Sequence, residues 1–262
     1  MKKNLLMLTG SLASLLKCYQ QRNGRWRDSI LATFVSRGDL AFDIGAHVGD
    51  CVSSFRRLGA NVIAVEPQPG MFSILRLLYG WDRHVVLEKV AVGARVGSGE
   101  MQVNLVNPTV STMSPQFVDA AREAVGWEQQ KWDDRLLVEM RTLDDLIAQY
   151  GEPVFCKIDV EGYEAEVLRG LSWPLASLSF EFTTIQRSVA LLALAECERL
   201  GRYVYNAAIG DSDEMAHSDW VDAEAMGVWL RGLPHAANSG DIYALRSTGN
   251  RGSAATDGRL NE

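Results

Sequence analysis

Short apolar runs alternate with amphipathic stretches along most of the chain. Leu40–Ile44 reads as a buried strand ending at Gly45, and residues 48–58 as a helix stopped by Gly59. Asn61–Val65, apolar after its first residue, predicts a second strand. Residues 70–79 predict a second helix with Met71, Ile74, Leu75 and Leu78 on one face. A third strand is expected over 84–92, a turn over 93–99, and an exposed antiparallel strand over 100–106. Thr142-Leu143-Asp144-Asp145 opens a helix with the spacing of a capping box. Strands over 154–158 and 178–182 alternate with helices over 163–169 and 188–200, ended by Gly170 and Gly201. Residues 203–205 and 242–245 read as short final strands. Repeated βα units imply an α/β domain with a parallel sheet and right-handed crossovers.

Residues 107–135 break the alternation. They hold a Ser/Thr-rich stretch from Asn107 to Thr112, a helix over 116–125, and Trp127 and Trp132. An insertion of this length in a compact domain is expected to act as a lid or binding segment. Its hydroxyls and amide suit a polyol, and the tryptophans suit either a sugar face or ordinary packing. The first 38 residues carry Lys2, Lys3 and an apolar stretch over 5–16. That stretch lacks a small-residue cleavage site and is too short to span a bilayer. It predicts an N-terminal helical segment, 1–38, packed on the domain; peripheral contact with an anionic membrane surface is the less favoured alternative. The domain proper is expected over 39–246, with a disordered tail over 247–262.

The chain has 262 residues, 47% of them hydrophobic and 23% charged, which fits one large globular domain and excludes a disordered chain. Its net charge of −7 argues against a nucleic-acid partner. Cys18, Cys51, Cys156 and Cys197 show no C-x-x-C spacing, so neither a zinc site nor a redox pair is expected, and a reducing, cytoplasmic setting is the simplest reading.

In an open α/β sheet, ligands bind outside the carboxyl ends of the strands. The first strand ends in Asp43-Ile44-Gly45-Ala46-His47-Val48-Gly49-Asp50, and the second in Val65-Glu66-Pro67. Glu66 follows Gly45 by about the ~20 positions expected of an acid that takes ribose hydroxyls. A dinucleotide pyrophosphate would be repelled by Asp43 and Asp50. S-adenosylmethionine carries no phosphate, and its ammonium and sulfonium suit Asp43. The plainer alternative has Asp43 capping the next helix and Gly45 only permitting a turn.

The ordered set Phe42 to Asp50, Val65-Glu66-Pro67, Thr142 to Leu146, Lys157-Ile158-Asp159-Val160-Glu161-Gly162-Tyr163-Glu164 and Val167-Leu168-Arg169-Gly170 resembles the FkbM family of S-adenosylmethionine-dependent methyltransferases. The resemblance runs from about Asp39 to Phe182, and the Lys157–Glu164 block is its specific part. It implies a Rossmann-like class I methyltransferase fold, a mostly parallel seven-stranded sheet with helices on both faces and an antiparallel last strand over 242–245. It also implies methyl transfer, usually to a hydroxyl of a sugar, glycan or small natural product. Asp43, Gly45, Ala46 and Gly49 would line the methionine end of the cofactor. Glu66 would hold the ribose, and Pro67, Gln68, Val90 and Ala91 would border the adenine. His47 stands where the family often has Asn.

A second group of charges falls on the same sheet edge. Lys157 and Asp159 share a side of their strand, Glu161 follows in the loop, and Glu181 lies near the end of the next strand. Methylation of a hydroxyl needs a group to accept its proton. Asp159 or Glu161 is the candidate base, with Glu181 second. The alternatives are a divalent cation held by these carboxylates, which is not the favoured reading, and a purely structural ion-pair network. Two other functions stay open: an NAD-dependent oxidoreductase, and a catalytically degenerate methyltransferase fold kept as a binding or scaffold protein.

Overall fold

The computed structural model of the chain describes Gly10 and residues 26–247. The first described helix, α1 (Trp26–Leu31), precedes β1 (Leu40–Ile44), α2 (Asp50–Leu58), β2 (Asn61–Val65), α3 (Pro69–Tyr79) and β3 (Val85–Glu88). Then come β4 (Ala91–Val92), β5 (Gly97–Val103), α4 (Pro115–Glu123), β6 (Asp134–Arg141), α5 (Leu143–Tyr150) and β7 (Phe155–Ile158). The chain closes with α6 (Glu164–Arg169), β8 (Ser177–Thr183), α7 (Arg187–Leu200), β9 (Tyr203–Ile209), α8 (Ala223–Gly232) and β10 (Ser239–Arg246).

Seven strands form one sheet in the order β3-β2-β1-β7-β8-β10-β9. The pairs from β3 to β8 are parallel, and β10 runs antiparallel to both β8 and β9. This is the expected Rossmann-like α/β architecture with its antiparallel last strand. Alternation along each strand divides the core in two. Phe42 and Ile44 of β1 face α5, α6, α7 and α8, where Leu146, Val167, Leu168, Leu194 and Leu230 are buried. Ala41 of β1, Phe155 of β7 and Tyr243 of β10 face the other way, onto Leu31, Val52, Phe55 and Leu75. Asp43, Lys157 and Asp241 stand two positions from those residues and so share the second face. On that face α1 docks against α2 through a bidentate pair, Arg57 Nε and Nη2 to the Asp28 carboxylate, both at 2.7 Å.

Several elements differ from the sequence pattern. The run 84–92 is two strands: β3 ends at Glu88, and β4 leaves to join a separate three-stranded sheet in the order β4-β6-β5. A continuous apolar run does not report which sheet it belongs to. The pattern missed β6 because exposed Leu137 interrupts the inward series Leu136, Val138, Met140. β5 lies three residues earlier than expected, and β9 extends to Ile209 instead of stopping at 205. The capping box at Thr142 is present in both halves: its hydroxyl accepts from Asp145 N, and the Asp145 carboxylate from Thr142 N, each at 3.1 Å. Among the described residues no helix is long and apolar enough to cross a membrane. The expectations of a membrane-surface helix and of a disordered tail fall on residues outside the described ones.

Candidate functional site

A cavity of about 340 Å³ opens at the carboxyl edge of β1, β2, β7 and β8, within the range of small-molecule sites. It brings together Asp43, Gly45, Ala46, Glu66, Pro67, Gln68, Val90, Ala91, Asp159, Glu161 and Glu181. Gly49 does not line it. Gly49 sits at the start of α2 with φ 92°, and its carbonyl accepts from the Tyr79 hydroxyl at 2.8 Å.

The loop after β1 packs directly on the loop after β7. Gly45 has φ 87°, and a Cβ there would fall 1.8 Å from the Asp159 carbonyl oxygen, so both backbone conformation and space demand glycine. Asp43 lies opposite Lys157 in the β1–β7 register. It does not cap α2, whose first turn carries no side-chain cap. Its Oδ2 is buried without a hydrogen-bond partner. Burial pushes the Asp43 carboxyl up to about 7, with Lys157 opposing and Asp159 reinforcing the rise.

Glu66 is buried at the end of β2. Its carboxylate accepts from His47 N at 3.0 Å and Gln68 N at 2.8 Å. Each oxygen keeps a further lone pair, enough for two neighbouring hydroxyls. Burial raises this carboxyl to about 7 despite those backbone bonds. His47, the donor of one of these bonds, adopts φ 49°.

Across the cavity, Lys157 Nζ pairs with Asp159 Oδ2 at 2.6 Å and lies 3.6 Å from Asp241 Oδ1. Burial opposes the Lys157 charge, but Asp159 and Asp241 outweigh it and hold the ammonium well above its ordinary value. Burial likewise opposes the Asp159 charge, and Lys157 overcomes it, so Asp159 stays ionised. Glu181 is driven the other way: burial, then the charges of Asp159, Glu161 and Glu164, raise it well above the carboxylate range. Asp159, Glu161 and Glu181 offer one oxygen each within 4.8 Å of one another, a donor set that suits a hard divalent cation.

The pattern of the sequence missed a third wall. Gly210 and Asp211 follow β9, and Ser239, Gly240 and Asp241 begin β10. Because β10 is antiparallel, its first residues reach the edge where the parallel strands end, and Asp241 stands opposite Glu181. The antiparallel last strand was the available signal for this wall. Arg27 also lines the cavity from α1, and nothing in its sequence context marks it. From the insertion, Thr109, Ser111 and Met113 reach the cavity. Trp127 and Trp132 do not; both pack edge-on against Phe117 at 5.7 and 6.3 Å.

The methyltransferase FkbM domain family matches residues 43–190, from the end of β1 into α7. Over 156 residues the chain is 27% identical to the hexuronic acid methyltransferase AglP of Haloferax volcanii, covering 58% of this chain and 57% of that protein. The match therefore spans little more than half of that relative. Among solved structures, a TehB-like SAM-dependent methyltransferase from Corynebacterium glutamicum aligns at 11% identity and TM-score 0.41, covering 90% of this chain and 99% of that one. Aeropyrum pernix fibrillarin with bound S-adenosyl-L-methionine aligns at 12% identity and TM-score 0.40, covering 81% and 68%. At such scores these alignments add nothing to the reading of the site.

Proposed function

The chain belongs to the FkbM methyltransferase family, and on that premise we propose that it transfers the methyl group of S-adenosylmethionine to a hydroxyl of a sugar, glycan or small natural product. The observation that carries this reading is the pair of buried carboxylates at neighbouring strand ends, Asp43 with an unpartnered oxygen and Glu66 with spare lone pairs. They fit an ammonium and a vicinal diol, and they oppose a pyrophosphate. That counts against an NAD-dependent oxidoreductase. A sugar acceptor is supported by the relative's description as a hexuronic acid methyltransferase.

When bound, the cofactor supplies an electrophilic methyl group on a sulfonium. Asp43 holds the ammonium, Glu66 the ribose hydroxyls, and Pro67, Gln68, Val90 and Ala91 border the adenine. Glu161 accepts the acceptor's proton. Asp159 is committed to Lys157, which lowers its basicity. Burial and the neighbouring charges of Asp159, Glu161 and Glu164 raise the Glu181 carboxyl well above its ordinary value. Glu161 lines the cavity beside both.

Calorimetry with S-adenosylmethionine and NAD, followed by transfer of labelled methyl to glucuronic acid and glucose, tests this reading. Binding of the first cofactor alone and labelled product support it; binding of neither by folded protein favours a scaffold role. The Glu161→Gln variant is expected to lose about 100-fold or more in kcat with cofactor affinity within about 2-fold, as for removal of a general base. Equal losses in both would remove Glu161 from that role. The acid triad favours one second reading, a divalent cation that lowers the hydroxyl pKa. Loss of turnover on chelation, restored by Mg²⁺, would select it.

Cofactor binding is also expected to release protons. Asp43 and Glu66 titrate at about 7 in the free protein, and an ammonium and a diol bind their ionised forms. Affinity then weakens as pH falls below about 7. Calorimetry at pH 6.5 in buffers of differing ionisation heat measures the release, and an identical heat in every buffer would contradict both assignments.

A further inference from the structure

Residues 108–112 bridge the two halves of the cavity. At one end Gln68 Nε2 donates to the Pro108 carbonyl at 3.1 Å. At the other, Thr112 Oγ1 donates to the Glu161 carbonyl at 2.6 Å. Between them Asn104 N donates to Ser111 Oγ at 3.1 Å, and Trp132 Nε1 to the Val110 carbonyl at 2.8 Å. Thr112 also exchanges backbone hydrogen bonds with Gln102 of β5, at 2.8 and 2.9 Å. It is completely buried.

A hydroxyl has one proton to give. Ser114 N donates to Thr112 Oγ1 at 2.8 Å, which occupies a lone pair and leaves that proton to Glu161. The receiving peptide needs holding. Glu161 adopts φ 55°, a left-handed conformation that costs a non-glycine residue about 1–2 kcal/mol. Glu164 Oε1 accepts from Val160 N and Gly162 N, both at 3.1 Å. The Glu161–Gly162 peptide is therefore held on both sides, its N–H by Glu164 and its carbonyl by Thr112.

We propose that Thr112 is a positioning residue, which fixes this peptide plane and so keeps the Glu161 carboxylate aimed into the cavity. The proposal rests on Glu161 as the base. It also removes the Thr112 hydroxyl from the groups offered to the acceptor. Insertion and base are thereby mechanically joined: whatever seats residues 108–112 seats Glu161.

Thr112→Val keeps the shape and deletes the donor, whereas Thr112→Ser keeps the donor. In full-length Thr112→Val, amide exchange over 159–163 is expected to speed about 10-fold or more while exchange over 43–50 is unchanged, as for a local opening. The kcat for labelled methyl transfer should fall about 10-fold or more, by misplacement of the reacting groups. Cofactor affinity should stay within about 2-fold. Thr112→Ser should track the wild type in all three, and Thr112→Val should add no further loss to Glu161→Gln. Unchanged exchange over 159–163, equal losses in the Ser and Val variants, or additivity with Glu161→Gln would each overturn the proposal. The exchange arm needs no acceptor. Wild-type turnover in Glu161→Gln with the exchange result intact would sink the base assignment and leave the loop-holding role standing.

Discussion

Replacing Asp43 by Asn is expected to weaken S-adenosylmethionine binding about 100-fold or more, the usual effect of deleting one partner of a buried charged pair. The same change should make the free protein more stable. Asp43 is 1% exposed, and its carboxyl titrates at about 7, well above its ordinary 3.8. A carboxyl raised in this way contributes most to stability below its unfolded value and loses that contribution as pH rises through about 7. The wild type at pH 8 therefore carries a buried charge that Asn avoids, and the advantage of Asn should be near zero at pH 4, grow through pH 7 and level off above. Thermal unfolding across that range, paired with calorimetry at pH 8, measures both sides. Wild-type affinity in the variant would move the methionine end elsewhere. Lower stability at every pH would mean that Asp43 is a structural partner of Lys157 and nothing more.

Lys157→Met carries the largest expected loss of stability, about 3–5 kcal/mol, the cost of breaking a buried ion pair from one side. Met replaces the stem at similar length and removes the charge. Left behind are Asp159 at the former 2.6 Å contact, Asp241 at 3.6 Å, and Asp43 opposite in the register. Among the described residues Arg27 is a second cationic side chain lining the cavity, and its charge is reinforced by Asp241 and Asp159 against the cost of burial. The loss should depend on pH with a definite sign. Lys157 depresses the Asp159 carboxyl, so that pair stabilises the fold above the unfolded value and its contribution fades as pH falls. Urea unfolding at pH 8 should show the full effect, and at pH 5 a smaller one, because the abandoned acids can take up protons. A loss under about 1 kcal/mol, the value of a surface pair, would show that water reaches the cluster. Adding Asp159→Asn should recover part of the loss.

The two substitutions separate what the fold needs from what the cavity needs. Lys157 neutralises acids that have already been drawn together. Asp43 adds a charge that the free protein would be better off without. A protein keeps such a charge where a ligand completes it.

Local sequence alone determined the elements that bury on both faces and the turns that end them. Leu40–Ile44, apolar but for Asp43, and Asn61–Val65, apolar after its first residue, are closed by Gly45 and Glu66, and they stand as read. Asp43, Glu66, Asp159, Glu161 and Glu181 were legible for the same reason: each lies within three residues of the carboxyl end of a strand, where a parallel sheet puts its ligand. What depended on partners far along the chain was not legible. The run after His84 divides between two sheets because Glu88 pairs with β2 and Ala91 with β6, and no local property of the run records that choice. Gly49 belongs to the loop motif, yet it packs on Tyr79 outside the cavity, a contact across 30 residues. Arg27 enters the cavity because α1 docks on α2, Asp241 because β10 runs backwards, and Asp211 because β9 extends to Ile209 and ends at the same edge. Which acid keeps its proton was decided by burial and by neighbours. Asp159 and Glu181 are both carboxylates at one sheet edge, and Lys157, 2.6 Å from the first, holds it below its ordinary value while burial and the charge of Asp159 raise the second. Periodicity and spacing report what a residue can do within its own element. Charge state and contact depend on distances between elements, and only the tertiary structure fixes those.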